Sequence, residues 1–308
     1  MNIDETARKK IVAALLQARD HFEGSDAKFA TSYNISASVF NRLKKGETDR
    51  LMRDAVWISV ARKLGVALGD EPELLTANTA VFQYITSQLT LCKSESISAM
   101  YCDATETGKS HSAKWFVANN KNSVYIDCSL HKGKQKLVRY IAQSFGIDFM
   151  GRYEDVFADL VYLLKVIYKP IVILDEFGDL EYSAFMEVKA LWNGTEGACA
   201  WYAMGADGLQ KKIESGRINR RVGFAEIYSR YGSKFNRVTP LVPDEQKEFW
   251  IEEALAIIDV NLPVIAPQDR QKMLIKSNGS TRALRNQILK LKRQMNEHAA
   301  SDHTAIAV

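Results

Sequence analysis

The sequence predicts an α/β core, a parallel sheet wrapped by helices, with a small all-α domain before it and a helical lid after it. Three observations carry this. Short apolar segments alternate with helical periodicity from Ser98 to Gly205, the βαβ pattern of a parallel sheet. The chain before Gly65 holds helical periods throughout, and after Pro240 and Pro243 the pattern is helical again.

A chain of 308 residues, 46% apolar, can bury a large core plus one or two small domains. The net charge of +4 permits a nucleic-acid partner without requiring one. No apolar run reaches membrane-spanning length, and Met1-Asn2-Ile3-Asp4-Glu5-Thr6 lacks the basic start and apolar core of a signal peptide. The expectation is a cytoplasmic protein with no membrane partner. Cys92, Cys102, Cys128 and Cys199 are scattered, so neither a zinc site nor a disulfide framework is indicated.

The first domain is expected over residues 1–68, with helices at Ile11–Phe22 and Asp26–Tyr33 and another ending at Gly65. Within it, Lys28 to Gly46 reads as a helix-turn-helix. Ala30 is the small residue of the first helix and Ile35 lies at the turn. Ser36 is the N-cap of the second helix, and Val39, Phe40 and Leu43 face inward. The exposed Ser36, Ser38, Asn41, Arg42, Lys44 and Lys45 are suited to phosphates and base edges of duplex DNA. A plain three-helix bundle with a solvated basic face is the alternative. Residues 69–75, with Gly69-Asp70-Glu71-Pro72-Glu73, read as a linker.

The core is expected over residues 76–240. A helix at Thr76–Thr90, apolar at Val81, Phe82, Ile85 and Leu89, leads into a strand at Ser98–Cys102. Next comes Asp103-Ala104-Thr105-Glu106-Thr107-Gly108-Lys109-Ser110, a phosphate-binding loop whose first glycine is replaced. The N–H groups of Ala104 to Gly108, with Lys109, Ser110 and His111 at the start of the following helix, are placed to cradle phosphates. Lys109 would reach the β/γ-phosphates and the Ser110 hydroxyl would ligate Mg²⁺. Asp103 brings a Cβ and a negative charge to a tight turn near a polyanion.

The second half of a nucleotide site is Lys169-Pro170-Ile171-Val172-Ile173-Leu174-Asp175-Glu176, an apolar strand ending in two carboxylates. Asp175 would hold Mg²⁺, and Glu176 would orient or deprotonate the attacking water. A buried strand ending in a solvated acidic turn would look alike, but the two motifs in this order make chance much less frequent.

Between these motifs, Ser123–Cys128 reads as a strand and Lys134–Gly146 as a helix. The loop joining them carries His131, Lys132, Gly133 and Lys134, placed to neutralise phosphates if subunits form a ring or spiral. A solvated loop is the equal alternative. Glu154–Lys165 and Tyr182–Trp192 read as helices and Ala198–Met204 as a strand, followed by Gly205-Ala206-Asp207. The stretch from Lys211 to Arg237 is basic. Within it Arg230 is a candidate arginine finger, reaching the γ-phosphate bound by a neighbouring subunit.

The lid, residues 241–298, is expected as helices Asp244–Ile258, Ala266–Ser277 and Ser280–His298, with residues 299–308 an unstructured tail. Arg282 opens the last helix and could touch nucleotide phosphates from the lid.

The two motifs, the strand ending in Met204-Gly205, Ser229-Arg230 after a basic stretch, and Gly279-Ser280-Thr281-Arg282 opening a late helix make a combination. In it the chain resembles the AAA+ ATPases of DNA transposition, the Mu B-like, IstB-like and TnsC-like group, over nearly its whole length. The resemblance implies that Lys109, Ser110, Asp175 and Glu176 serve ATP and Mg²⁺, that Arg230 is the arginine finger, and that Arg282 is the sensor-2 arginine. It places Lys132 and Lys134 in a loop that grips DNA. The implied function is ATP-dependent assembly into a filament on duplex DNA in a bacterial or phage setting. The filament would select a transposition target and recruit a transposase, with hydrolysis driving disassembly. Asp103, and Ala206 where a sensor-1 Asn or Thr usually stands, depart from the pattern and imply slow turnover. The alternatives are a nucleotide-sensing DNA-binding regulator with a degenerate core, and a helicase loader of the same superfamily.

Overall fold

The computed structural model describes residues 3–22, 24–66, 68 and 74–305, the side chains of 296–305 excepted. The expected linker at Gly69–Glu73 lies outside the described residues. Helices α1 (Glu5–Asp20), α2 (Asp26–Ser32), α3 (Ala37–Lys44) and α4 (Asp54–Leu64) come first. The middle of the chain runs α5 (Ala80–Glu95), β1 (Ala99–Cys102), α6 (Lys109–Asn119), β2 (Ser123–Asp127), α7 (Lys134–Ser144), α8 (Tyr153–Val166) and β3 (Ile171–Asp175). After it come α9 (Tyr182–Gly194), β4 (Ala200–Gly205), α10 (Asp207–Ile218) and α11 (Phe224–Arg230), then α12 (Pro243–Asn261), α13 (Pro267–Ser277) and α14 (Thr281–Ala305).

Two compact units result. One gathers Met1–Leu68, Thr86–Asp103 and Ala113–Arg237, the other Gly69–Ile85, Ala104–Ser112 and Val238–Val308. The phosphate-loop segment therefore groups with the lid helices.

In the first unit the amino-terminal helices pack around Ile11, Leu15, Phe29, Phe40, Leu43, Trp57 and Val60. Helix α1 starts earlier than its apolar period suggests because Asp4 caps it, accepting the Ala7 N–H at 2.7 Å. Ser36 caps α3 through the Val39 N–H at 3.2 Å, and Gly65, at φ 70°, ends α4. These helices dock on α7. Gly146 has φ +73°, and a Cβ there would sit 2.2 Å from the Lys28 carbonyl oxygen, so no other residue fits. Beside it, the Lys63 ammonium donates to the Ser32 carbonyl at 2.7 Å and lies 5.6 Å from the Tyr140 ring centre. Burial pulls its pKa down to about 8.

The sheet has strand order β1-β4-β3-β2 with every pair parallel. Its central strands β3 and β4 are buried along their length, which is why they read as unbroken apolar runs. The stretch after Asp207, basic in composition, folds into α10 and α11, with Leu209, Ile213, Phe224 and Ile227 buried. One of that stretch's cations turns inward: Lys212 donates to the Gly178 and Leu180 carbonyls at 2.6 and 2.8 Å.

The second unit has its own core of Leu74, Ile258, Leu262, Met273, Leu284 and Ile288. Its carboxamide Asn261 donates to the Leu75 carbonyl at 3.0 Å and accepts the Leu75 N–H at 2.9 Å, as a strand partner would. Buried Glu253 accepts the Ala80 N–H at 2.5 Å at the start of α5. Contrary to the unstructured tail expected from Ala299, α14 continues to Ala305, because neither glycine nor proline interrupts it. Among the described residues no helix is long and apolar enough to cross a membrane.

Candidate nucleotide-binding site

In the second unit, the loop from Ala104 turns on two left-handed residues, Glu106 at φ 61° and Gly108 at φ 88°. Lys109 is buried to 7% exposure, and its ammonium donates to the Ala104 carbonyl, closing the loop on itself. The Thr107 hydroxyl donates to the same carbonyl at 3.4 Å, and the Ser112 N–H reaches Gly108 at 3.0 Å as α6 begins. His111 Nε2 lies 3.0 Å from the Thr76 hydroxyl. The lid takes part here: Ser280 donates to the Glu106 carboxylate, Thr281 to the Glu106 carbonyl, and Arg282 lies 3.5 Å from Glu106 Oε1. Thus Ala104, Glu106, Thr107, Gly108, Lys109, His111 and Arg282 belong to one cluster.

The first unit explains Asp103. Its carboxylate is fully buried, accepts the Tyr101 hydroxyl at 2.6 Å, and lies 3.4 Å from Arg237 Nε. Arg237 arrives there because Asn236 pairs with β1: the Asn236 N–H donates to Met100 and its carbonyl accepts the Cys102 N–H, each at 2.9 Å. The same guanidinium donates to Asp207 at 3.1 Å, at the start of α10. The charge that replaces glycine is therefore matched inside the protein. Just after β4, Ala206 carries no polar side chain, and neighbouring Asp207 faces Arg237. Replacing Arg237 with Ala leaves Asp103 buried without its cation and is expected to cost about 3 kcal/mol. Urea denaturation measures this, and Asp103→Asn in the Arg237→Ala background should restore most of the loss. A loss too small to measure would refute the pairing.

The acidic end of β3 has two unlike carboxylates. Asp175 is 1% exposed, accepting the Tyr125 hydroxyl at 2.6 Å and the Glu176 N–H at 3.0 Å. Glu176 is exposed and left-handed at φ 50°, strain of a kind that collects at functional turns. A fixed, buried carboxylate is a hard oxygen donor of the kind that suits Mg²⁺. A projecting carboxylate suits a water.

Arg230, in the last turn of α11, donates to Asn193 at 2.8 Å and lies 5.1 Å from the Trp192 ring centre, which fixes its direction. Lys132 pairs with Asp179 at 3.2 Å, and Lys134 lies 5.4 Å from the Tyr153 ring centre; both remain exposed. On α3, Ser36, Ser38, Asn41, Arg42 and Lys44 are all exposed. Four of them are engaged within the domain: Ser36 caps the helix and lies 3.0 Å from the Ser38 hydroxyl, Arg42 pairs with Glu47 at 2.6 Å, and Lys44 pairs with Asp26. Lys44 and Arg19 hold the Asp26 carboxyl below the usual carboxylate range. Sequence reasoning missed Tyr125 and Arg237, which support the site residues from other strands or segments, Tyr101, which supports Asp103 from two residues earlier in the chain, and the carboxylate role of Glu106.

Fold and loop together define a P-loop core of the AAA+ type. Residues 102–213 match the family model described as an AAA domain. Among solved structures, the Orc1 protein of Aeropyrum pernix in complex with DNA is similar, with a TM-score of 0.54 at 14% identity. The match covers 76% of this chain and 66% of that one, just under two thirds, and at this identity the likeness is one of fold. No curated protein matches the chain.

Proposed function

We propose that the protein is an ATP-dependent DNA-binding protein that assembles on duplex DNA, selects the target for transposition, and recruits or activates a transposase. The observation that carries the nucleotide half is the end of β3, where buried Asp175 and exposed Glu176 follow one another. In this reading Lys109 and the loop N–H groups hold the phosphates, Ser110 and Asp175 hold Mg²⁺, and Glu176 orients the attacking water. When bound, Mg²⁺ neutralises charge developing on the phosphates. Arg230, fixed on its helix, would complete the site of a neighbouring copy, so that ATP stabilises the assembly.

The DNA half is supported by the exposed polar face of α3 and by Lys132 and Lys134. The fold-related Orc1 structure is itself a complex with DNA. Self-association, the transposase and a bacterial or phage setting rest on the resemblance to transposition ATPases. Ala206, with no polar side chain at the sensor-1 position, favours one second reading: a nucleotide sensor that binds without turning over. A helicase loader differs in its partner, which a pull-down with the native host extract would reveal.

Electron microscopy with duplex DNA and a non-hydrolysable ATP analogue tests assembly. Filaments that need both ligands are expected. Particles that remain monomeric under every condition would sink the filament reading.

A further inference from the structure

Glu106 stands in the phosphate loop, where an added carboxylate opposes a polyanion, and in a left-handed backbone conformation that glycine would adopt without strain. Its side chain does not point into solvent. Ser280, the N-cap of α14, donates its hydroxyl to the Glu106 carboxylate while accepting the Ala283 N–H at 3.1 Å. Thr281 donates its hydroxyl to the Glu106 carbonyl, and Arg282 Nη1 lies 3.5 Å from Oε1. Three successive lid residues thus converge on one loop residue, and the positive end of α14 faces its carboxylate.

We propose that Glu106 is a positioning residue that clasps the first turn of α14 to the phosphate loop and competes with a nucleotide phosphate for Arg282. The chemistry is that of one anion exchanged for another. Hydroxyls, a helix N-terminus and a guanidinium recognise a carboxylate or a phosphoryl group alike, and Arg282 cannot serve both fully. The Arg282 side chain is 77% exposed, so water screens its ion pair and leaves it easily exchanged, whereas the Ser280 and Thr281 contacts are partly buried. The clasp can therefore keep its hydroxyl contacts while releasing the arginine. Glu106 would hold the lid in place and set how strongly a phosphate must bind to claim Arg282.

The second half of this proposal rests on the nucleotide reading above; the first does not. Hydrogen exchange of the full-length protein without nucleotide tests the clasp on the amides of Thr281 to Leu284. Glu106→Gly, which also relieves the left-handed strain, should speed their exchange at least about tenfold, and Glu106→Gln should speed it less. Unchanged exchange in both variants would overturn the clasp. ATP affinity tests the competition. Glu106→Gln should tighten ATP binding about three- to tenfold in the wild-type background and have no effect when Arg282 is already Ala. Equal effects in both backgrounds would overturn the competition. A wild-type protein that binds no nucleotide would overturn the competition and the nucleotide reading together, with the exchange result still deciding the clasp.

Discussion

Lys109→Ala is expected to weaken ATP binding on the order of 100-fold, equivalent to about 3 kcal/mol, and to abolish ATP-dependent assembly on DNA. Lys109 is 7% exposed and its ammonium rests on the Ala104 carbonyl, so the side chain is already preorganised. A phosphate reaching it gains a charge-assisted bond without the cost of ordering a long side chain. Isothermal titration with ATP and Mg²⁺ measures the loss. A melting curve is the necessary control, because the same side chain closes the loop. A folded variant that binds ATP as tightly as the wild type would remove Lys109 from the site.

Glu176→Gln is expected to leave ATP affinity within about threefold while slowing turnover by about 100-fold or more. The carboxylate is exposed at the end of β3, so the neutral isostere should fold normally. In the proposed mechanism what is lost is the base that deprotonates the attacking water. Assemblies of this variant on DNA should then outlast those of the wild type, because the step proposed to dissolve them is blocked. Steady-state phosphate release and a DNA-release time course provide the two readings. Turnover that survives the substitution would exclude Glu176 as the group acting on water. Wild-type protein with no turnover would favour the sensor reading.

What could be read from the sequence is what lies close together along it. The order of the two motifs, the unbroken apolar β3 and the N-cap role of Ser36 are local facts, and the fold follows them. Helices α10 and α11 were hidden because the composition drew attention to charge. Leu209 and Ile213, four residues apart, were the available signal of a buried face. The cation beside Asp103 and the lid partners of Glu106 were beyond reach for a different reason. Glu106 and Ser280 are separated by 174 positions, and Arg237 reaches Asp103 only because Asn236 pairs with an edge strand. Asp103 therefore looks like a defect in the motif until its cation is seen. Unpaired charge is the costly arrangement in a protein interior, and the fold avoids it.

The close fit of Gly146 against the Lys28 backbone gives the amino-terminal helices a role different from that of a tethered hook. A domain on a flexible linker samples many orientations, and binding through it says nothing about how the rest of the molecule faces the duplex. Here the turn after α7 meets α2 so closely that a Cβ on Gly146 would sit 2.2 Å from the Lys28 carbonyl oxygen, and α3 and the sheet belong to the same compact unit. A protomer that engaged DNA through α3 would carry its sheet at a fixed angle around the duplex axis. Neighbours along B-form DNA, which repeats about every 10 base pairs, would then inherit their mutual rotation from the helix they are bound to. The duplex itself would act as a ruler for the protein assembly.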